Sequence, residues 1–482
     1  MGQQKQVVPG NGAMEWRIKM ADGSSEILVP ERAGVAGRLW HCLRAVVAGV
    51  GFKVRNFFKK AWEVGANDPR KVIHCLKVGI ALTVVSLFYY MRPLYEGVGG
   101  NAMWAIMTVV VVFEHTAGAT IYKSLNRICA TSIAGFLAIG VHWVASQAGQ
   151  KYEPIIVGFP LFLLASAATF TRFIPTVKAR LDYGILIFIL TFSLVSVCGY
   201  RVDKLVEMAH QRISTIVIGT SLCLVVSMII CPIWAGQELH VLITRNMDKL
   251  ANSLDSCVAQ YFNASGSQAG NEEEFNQEKL QGYKCVLSSK ATEDSMANFA
   301  RWEPAHGGFN FRHPWKQYLK IGASMRSCAS CIDALNGCIN SENYKAPEHM
   351  SFLKVSTNSA SVIRELATCI KTMKKSSGTD ILVAEMKGAA QELKDVLKSY
   401  PTSCLITHDQ ILKAENPENH HDHNQLPISS TRSSTVDVAP FPLMEIVQVV
   451  TTASLLIEVT VRVEGIVNAV EELADLAEFQ PS

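Results

Sequence analysis

A chain of 482 residues has room for two or three ordinary domains, and its formal net charge is only +3. Hydrophobic residues make up 49% of it and charged residues 18%, with a mean hydropathy of +0.18. This balance excludes a disordered, collagenous or nucleic-acid-binding chain and points to segments that meet lipid. The 13 cysteines are too few for a disulfide scaffold of this length and are scattered through apolar stretches (Cys75, Cys129, Cys198, Cys223, Cys231) as well as polar ones, so they read as reduced fillers.

The first fifty residues are polar and lack an apolar signal core, so no cleaved secretory signal is expected. Met1-Gly2 opens like a myristoylation site, but Gln6 stands where Ser or Thr is needed. Between Leu39 and Trp62, aromatic and aliphatic residues (Trp40, Leu43, Val47, Phe57, Phe58) interleave with Arg44, Lys53, Arg55, Lys59 and Lys60. Two readings stand side by side: an amphipathic basic helix lying on an anionic cytoplasmic leaflet, or a helix before the first span packed on the protein.

Apolar runs then crowd residues 72 to 234: Val72 to Met91, Gly97 to Phe113, Ile128 to Val144, Ile155 to Phe170, Tyr183 to Gly199 and Ile213 to Trp234. Each is close to the about 17 to 25 residues that cross a bilayer core. The expected fold is an all-α membrane protein with six transmembrane helices, paired as three hairpins, followed by a helical cytosolic domain. The competing soluble all-α core would be left with almost no polar surface. Lys53, Arg55, Lys59, Lys60, Arg70 and Lys71 precede the first span, and Lys123, Arg127, Arg172, Lys178 and Arg180 fill later connections on the same side. Arg92, Lys151, Arg201 and Lys204, with Arg212 at the edge, are opposite, so both termini are expected in the cytosol. The domains are a cytosolic N-terminal region (1–66), the membrane domain (67–236) and the C-terminal domain (237–482).

The last domain predicts helices over Val241 to Phe262, Glu278 to Ala300, Pro314 to Asn340, His349 to Lys374, Ile381 to Ser399 and Leu443 to Phe479, with loops near 264–274 and 409–438. The last helix is apolar enough to suggest a seventh span, but Glu445, Gln448, Glu458, Arg462 and Glu464 interrupt it, which fits an amphipathic helix in water.

Between residues 70 and 240, 13 Lys and Arg stand against 7 Asp and Glu. Such cations are either topology signals and snorkelling anchors, as expected for Arg70, Lys71 and Lys151, or the lining of a water-filled pore that attracts anions. The second reading is assigned to Lys77, Lys123, Arg127, Arg180 and Arg212, which sit at or inside span ends. Glu114 is expected to pair with one of these cations, and Asp182 with Arg180 or Lys178. Arg172, Lys178 and Arg201 join Glu114 as candidates for gating or structural roles, as do Trp302, Glu303 and Pro304: Pro304 would end a helix, Trp302 would anchor that end in the core, and Glu303 would hold a salt bridge that changes with gating.

Phosphate loops, dinucleotide fingerprints, zincin motifs and nucleophile elbows are absent, so no enzyme, cofactor or nucleic-acid partner is expected. Cys328 and Cys331 read as core-facing residues of a helix rather than metal ligands, and His420, His421 and His423 as a solvated polar tract.

Several segments resemble the plant aluminium-activated malate transporter family: Asn67-Asp-Pro-Arg-Lys, Asn101-Ala-Met-Trp-Ala-Ile-Met-Thr-Val-Val-Val-Val-Phe-Glu114, Tyr183-Gly-Ile-Leu-Ile-Phe-Ile-Leu-Thr-Phe, Cys231-Pro-Ile-Trp-Ala-Gly, Arg301-Trp-Glu-Pro and Phe311-Arg-His-Pro-Trp-Lys-Gln-Tyr. The resemblance runs from about residue 60 to the end. It implies an anion channel that passes malate and inorganic anions, built as a homodimer with six spans per subunit, in the plasma membrane or the vacuolar membrane. It also implies a distant relation to fusaric acid resistance type exporters. The alternative is a proton-coupled organic-acid exporter using His74, Glu114 or His115, and a membrane-tethered scaffold is a third class. A dimer is expected because three hairpins enclose no polar path alone, and Ala130 and Ala134 offer close helix approach.

Overall fold

The computed structural model describes residues 16–19, 25–28, 35–91, 102–148, 152–199, 205–263, 279–310, 312–339, 350–414 and 443–481. The chain is an all-α membrane protein, divided into two compact units, Met1–Cys75 and Leu76–Ser482.

In the first unit, β1 (Trp16–Lys19) and β2 (Ser25–Leu28) pair antiparallel with Trp16 opposite Leu28. Sequence reading places no strand there. Two four-residue segments flanking Asp22-Gly23 are a short hairpin signal, too brief to stand out by periodicity. Helix α1 (Val35–Asn67) follows, and Pro69 opens α2 (Pro69–Tyr90) at the position where a missing N–H costs nothing.

The second unit holds α3 (Ala102–Val112), α4 (Ala117–Gln147), α5 (Glu153–Thr171), α6 (Pro175–Gly199) and α7 (Leu205–Ile229). Among the described residues, four helices are long and apolar enough to cross a bilayer, lying within α4, α5, α6 and α7. The first predicted span falls on α2, whose opening turns carry Arg70, Lys71 and Lys77. The second is represented by the shorter α3. Helix α4 is central, packing on α5, α6 and α7, while α3 packs on α7. One apolar cluster joins Ala81, Val85, Val109 and Cys223, and a second joins Ala134 and Ala138 of α4 to Phe192 and Val195 of α6. Ala134, one of the two small residues expected to serve a dimer, therefore lines a seam inside the chain. Phe136, Phe159, Phe162 and Phe170 are exposed, as lipid-facing aromatics are.

The C-terminal domain comprises α8 (Ala235–Asn263), α9 (Gly282–Ser288), α10 (Lys290–Ala300), α11 (Trp315–Ile339), α12 (Met350–Thr372), α13 (Thr379–Ala414) and α14 (Leu443–Leu476) around one core. A parallel bridge between β3 (Lys374–Lys375) and β4 (Gln480–Pro481) ties the end of α12 to the segment after α14. In α14, Val449, Ala453, Leu456, Val463, Ile466 and Val470 are buried at helical spacing while Glu458 and Arg462 pair at 2.6 Å outside, as an amphipathic helix requires. Cys328 is buried in α11, as read. Two boundaries differ from expectation. The helix predicted over Glu278 to Ala300 breaks at Ser289, whose hydroxyl lies 2.7 Å from the Val286 carbonyl and 2.6 Å from the Glu293 carboxylate and so competes with the helical bonds. Helix α13 continues past Ser399 to Ala414, into the tract read as a loop from Asp409. The loop near 264–274, the rest of that tract and its three histidines lie outside the described residues.

Near the start of α11, the Tyr318 hydroxyl lies 3.0 Å from His240 Nδ1 and 3.2 Å from His313 Nε2, with all three side chains buried. Burial lowers the pKa of both imidazoles, that of His313 to about 4. A histidine whose folded pKa lies below its unfolded 6.5 adds stability that is complete above pH 6.5 and is lost as pH falls toward 4, about 3 kcal/mol at most. The thermal midpoint of the detergent-solubilised protein is expected to drop between pH 7 and pH 5, and His313→Asn to flatten that dependence. A midpoint equally steep in the variant would contradict the assignment.

Candidate functional site

Four polar residues recur on one face of α4 at helical spacing: Thr120, Ser124, Arg127 and Thr131, all buried, continued by Ala134 and Ala138. Thr120 is held locally, its hydroxyl lying 3.1 Å from the Thr116 carbonyl. The other three are not satisfied: Ser124 Oγ, Arg127 Nε and Thr131 Oγ1 are buried without a hydrogen-bond partner among the described residues. Arg127 is 6% exposed, and Nη1 reaches the Tyr183 hydroxyl at 3.4 Å. Ten residues into α4, it lies roughly 15 Å from that helix's start, about half the thickness of a bilayer core. Tyr183 opens one of the segments quoted above yet carries no role in the sequence reading. Its hydroxyl faces Arg127 while its ring lies 5.3 Å from Lys123 Nζ.

The remaining candidates divide by partner. Lys77 is buried and donates from Nζ to the Cys231 carbonyl at 2.8 Å, tying the first half of α2 to the turn after α7. Lys123 pairs with Glu114, as expected for that carboxylate. Arg212 is buried with its guanidinium 3.9 Å from the Trp104 ring centroid, so α7 and α3 meet through a cation–π contact. Arg180 and Lys178 are exposed, and Arg201 lies outside the described residues. Asp182 pairs not with Arg180 or Lys178 but with Arg172, whose Nε and Nη2 reach its two oxygens at 2.7 and 3.4 Å. The α5–α6 turn brings Arg172 back over the first two turns of α6, and its planar fork suits the carboxylate.

The Trp302-Glu303-Pro304 segment sits where the membrane helices meet the C-terminal domain. Glu303 is buried and accepts backbone N–H bonds from Gly118 at 3.1 Å, Ala235 at 2.6 Å and Gly236 at 3.0 Å. One carboxylate thus caps the N-termini of both α4 and α8, where helix dipoles favour negative charge. Burial raises its pKa against the opposing pull of these donors. A Cβ on Gly118 would stand 2.5 Å from the Phe299 carbonyl, and one on Gly236 would stand 2.4 Å from the Trp315 ring, so both positions require glycine. His306 lies 3.9 Å from the carboxylate and stacks on Trp234 at 4.1 Å. Backbone capping is thus the main bonding of Glu303, with His306 as its nearest cationic partner. Trp302 is not the core anchor expected: it is 45% exposed and packs on Tyr122 of α4. Helix α10 ends at Ala300, ahead of Pro304.

Long apolar helices around a buried polar stripe that carries one cation define an integral membrane protein. Residues 62–440 match the family model described as "Aluminium activated malate transporter", and the chain belongs to that family. It is 51% identical to Aluminum-activated malate transporter 10 of Arabidopsis thaliana over 97% of this chain and 95% of that protein. It is 43% identical to transporter 2 of the same plant (89% and 79% covered) and 38% identical to transporter 1 of Triticum aestivum (93% and 92% covered).

Removing an acceptor from three buried N–H groups leaves them unsatisfied, so Glu303→Ala should cost about 3 kcal/mol or more, and Glu303→Gln, which keeps acceptor oxygen but loses charge, should cost less. Thermal unfolding of the solubilised protein measures both; an alanine variant as stable as the parent would rule out a load on this cap.

Proposed function

We propose that the chain is an anion channel conducting malate, and inorganic anions with it, through a basic path completed in a homodimer. The supporting observation is Arg127, a buried guanidinium ten residues into a candidate membrane helix with an unpartnered Nε, flanked on its own helix by the idle hydroxyls of Ser124 and Thr131. A permanent cation in that position is costly without a counter-charge, and among the described residues no carboxylate pairs with it. A passing anion supplies the missing charge and acceptors, and a carboxylate accepts from hydroxyl and guanidinium donors at once. The named substrate of the relatives is malate, which has this chemistry.

In this reading α2 and the α3 segment complete six spans in three hairpins, both termini lie in the cytosol, and residues 67–236 and 237–482 are the membrane and cytosolic domains. Arg127 is the principal anion ligand. Lys123 and Lys77 lie toward the cytosolic end, held by Glu114 and the Cys231 carbonyl, and Arg212 lies in the other half of the membrane. Arg180 supplies charge at the exposed cytosolic edge, and a two-fold axis doubles each cation that lines the path. The plasma membrane and the vacuolar membrane both suit this topology.

Under voltage clamp, with malate exchanged for an impermeant anion, the reversal potential should follow the anion gradient and ignore pH. Arg127→Glu should abolish most of the current and Arg127→Gln should lower it less, at equal membrane delivery, whereas Arg70→Gln should leave it nearly unchanged. Normal conduction by Arg127→Glu would remove Arg127 from the path, and a reversal that tracks the proton gradient would refute passive conduction.

A further inference from the structure

Helix α1 (Val35–Asn67) carries six Lys and Arg against one Glu. Trp40, Leu43, Val47, Val50, Val54 and Phe57 recur along it in steps of three and four, which places them on one stripe of the helix. Every one of them is exposed, as is Phe58 beside them, and Trp62 is 79% exposed. Projected at 100° per residue, Arg44 and Arg55 run along one flank of that stripe, and Lys53 and Lys60 along the other. Here both flanks are cationic, and the lone acid, Glu63, lies 3.9 Å from Lys59 on the far side.

We propose that α1 is an interfacial helix whose apolar stripe lies among the acyl chains of a leaflet rich in anionic phospholipid, its flanking cations reaching the headgroups. Lys and Arg stems snorkel from such flanks, and Trp and Phe sit at headgroup depth, which matches the order of side chains around this helix. Chain continuity places it there: Asp68 alone separates α1 from α2, whose apolar run begins at Val72. That the leaflet is the cytoplasmic one rests on the topology proposed above. Association through a second copy of the chain, or folding back onto its own helices, would put protein and not lipid against Val47 and Phe58.

The full-length protein, carrying the photo-crosslinker p-benzoylphenylalanine at Val47, Phe58 or Lys59 in turn, is reconstituted into vesicles of phosphatidylcholine alone or with phosphatidylserine, and adducts are read by mass spectrometry. Positions 47 and 58 should label lipid and position 59 should not. Yield should rise several-fold with phosphatidylserine, and that rise should vanish when Lys53, Arg55 and Lys60 are replaced by Gln. Protein adducts at 47 and 58, equal lipid labelling at 58 and 59, or equal yields in the two vesicles would each overturn the assignment.

Discussion

The buried carboxylate of Glu303 is the constraint on which the junction of this molecule depends. Helix N-termini present N–H groups without intrahelical partners, and burying such an end without an acceptor is costly. Here two of them, from α4 and α8, are buried against the same side chain, so neither helix can be placed independently of the other. The close approach is possible only because Gly118 and Gly236 carry no Cβ, and the Trp234–His306 stack closes over the carboxylate. The turn Ile230–Trp234 is fixed from a second side: Lys77 takes the Cys231 carbonyl, and the Ala117 N–H takes that of Ile233 at 2.8 Å. Residues distant in sequence thus form one rigid knot where the membrane helices start and stop.

Satisfying charge at low dielectric explains the rest of the bundle. Lysine and arginine are tolerated among apolar helices when a carbonyl, a carboxylate or an aromatic face receives them, and Lys77, Lys123, Arg172 and Arg212 each find one. Only after these assignments does Arg127 stand out, because its neighbours on α4 offer hydroxyl donors and Tyr183 another hydroxyl. In the proposed channel, this group of donors around a cation selects for an anion by the same rule that makes it costly when empty.

Much of the helix order was legible because apolar runs of span length and the 3.6-residue spacing of α14 are strong signals. Composition also ranked the cations as the chemistry-bearing residues. Pairing was not legible: Arg180 and Lys178 stand closer to Asp182 in sequence than Arg172, ten residues away, and only the turn between α5 and α6 brings Arg172 to it. Nor does any local pattern announce that Glu303 serves helices that begin 186 and 68 residues away by chain number, at Ala117 and Ala235. The polar stripe Thr120, Ser124, Arg127 and Thr131 is legible in the sequence, since its steps of four, three and four are those of one helix face. The strands were missed because four-residue segments lie below the length at which alternation is distinguishable from chance.

The knot and the basic stripe share one helix, and this links the two halves of the molecule mechanically. Glu303 holds α4 at Gly118, while Trp302 and Phe299 pack their rings on Tyr122 one turn further in, at 6.0 and 5.7 Å. The same tyrosine gives its hydroxyl to the Arg180 carbonyl at the start of α6, and the next residue, Lys123, carries the ion pair to Glu114. A displacement of α10 and the segment after it therefore acts on α4 within about two turns of Arg127, through contacts that are buried or aromatic rather than through a flexible linker. Because an α-helix is stiff over so short a length, Gly118 and the Arg127 backbone hold a fixed relation to one another. The C-terminal helices are in this sense coupled to α4, joined to it by a carboxylate that can release neither helix without stranding the other.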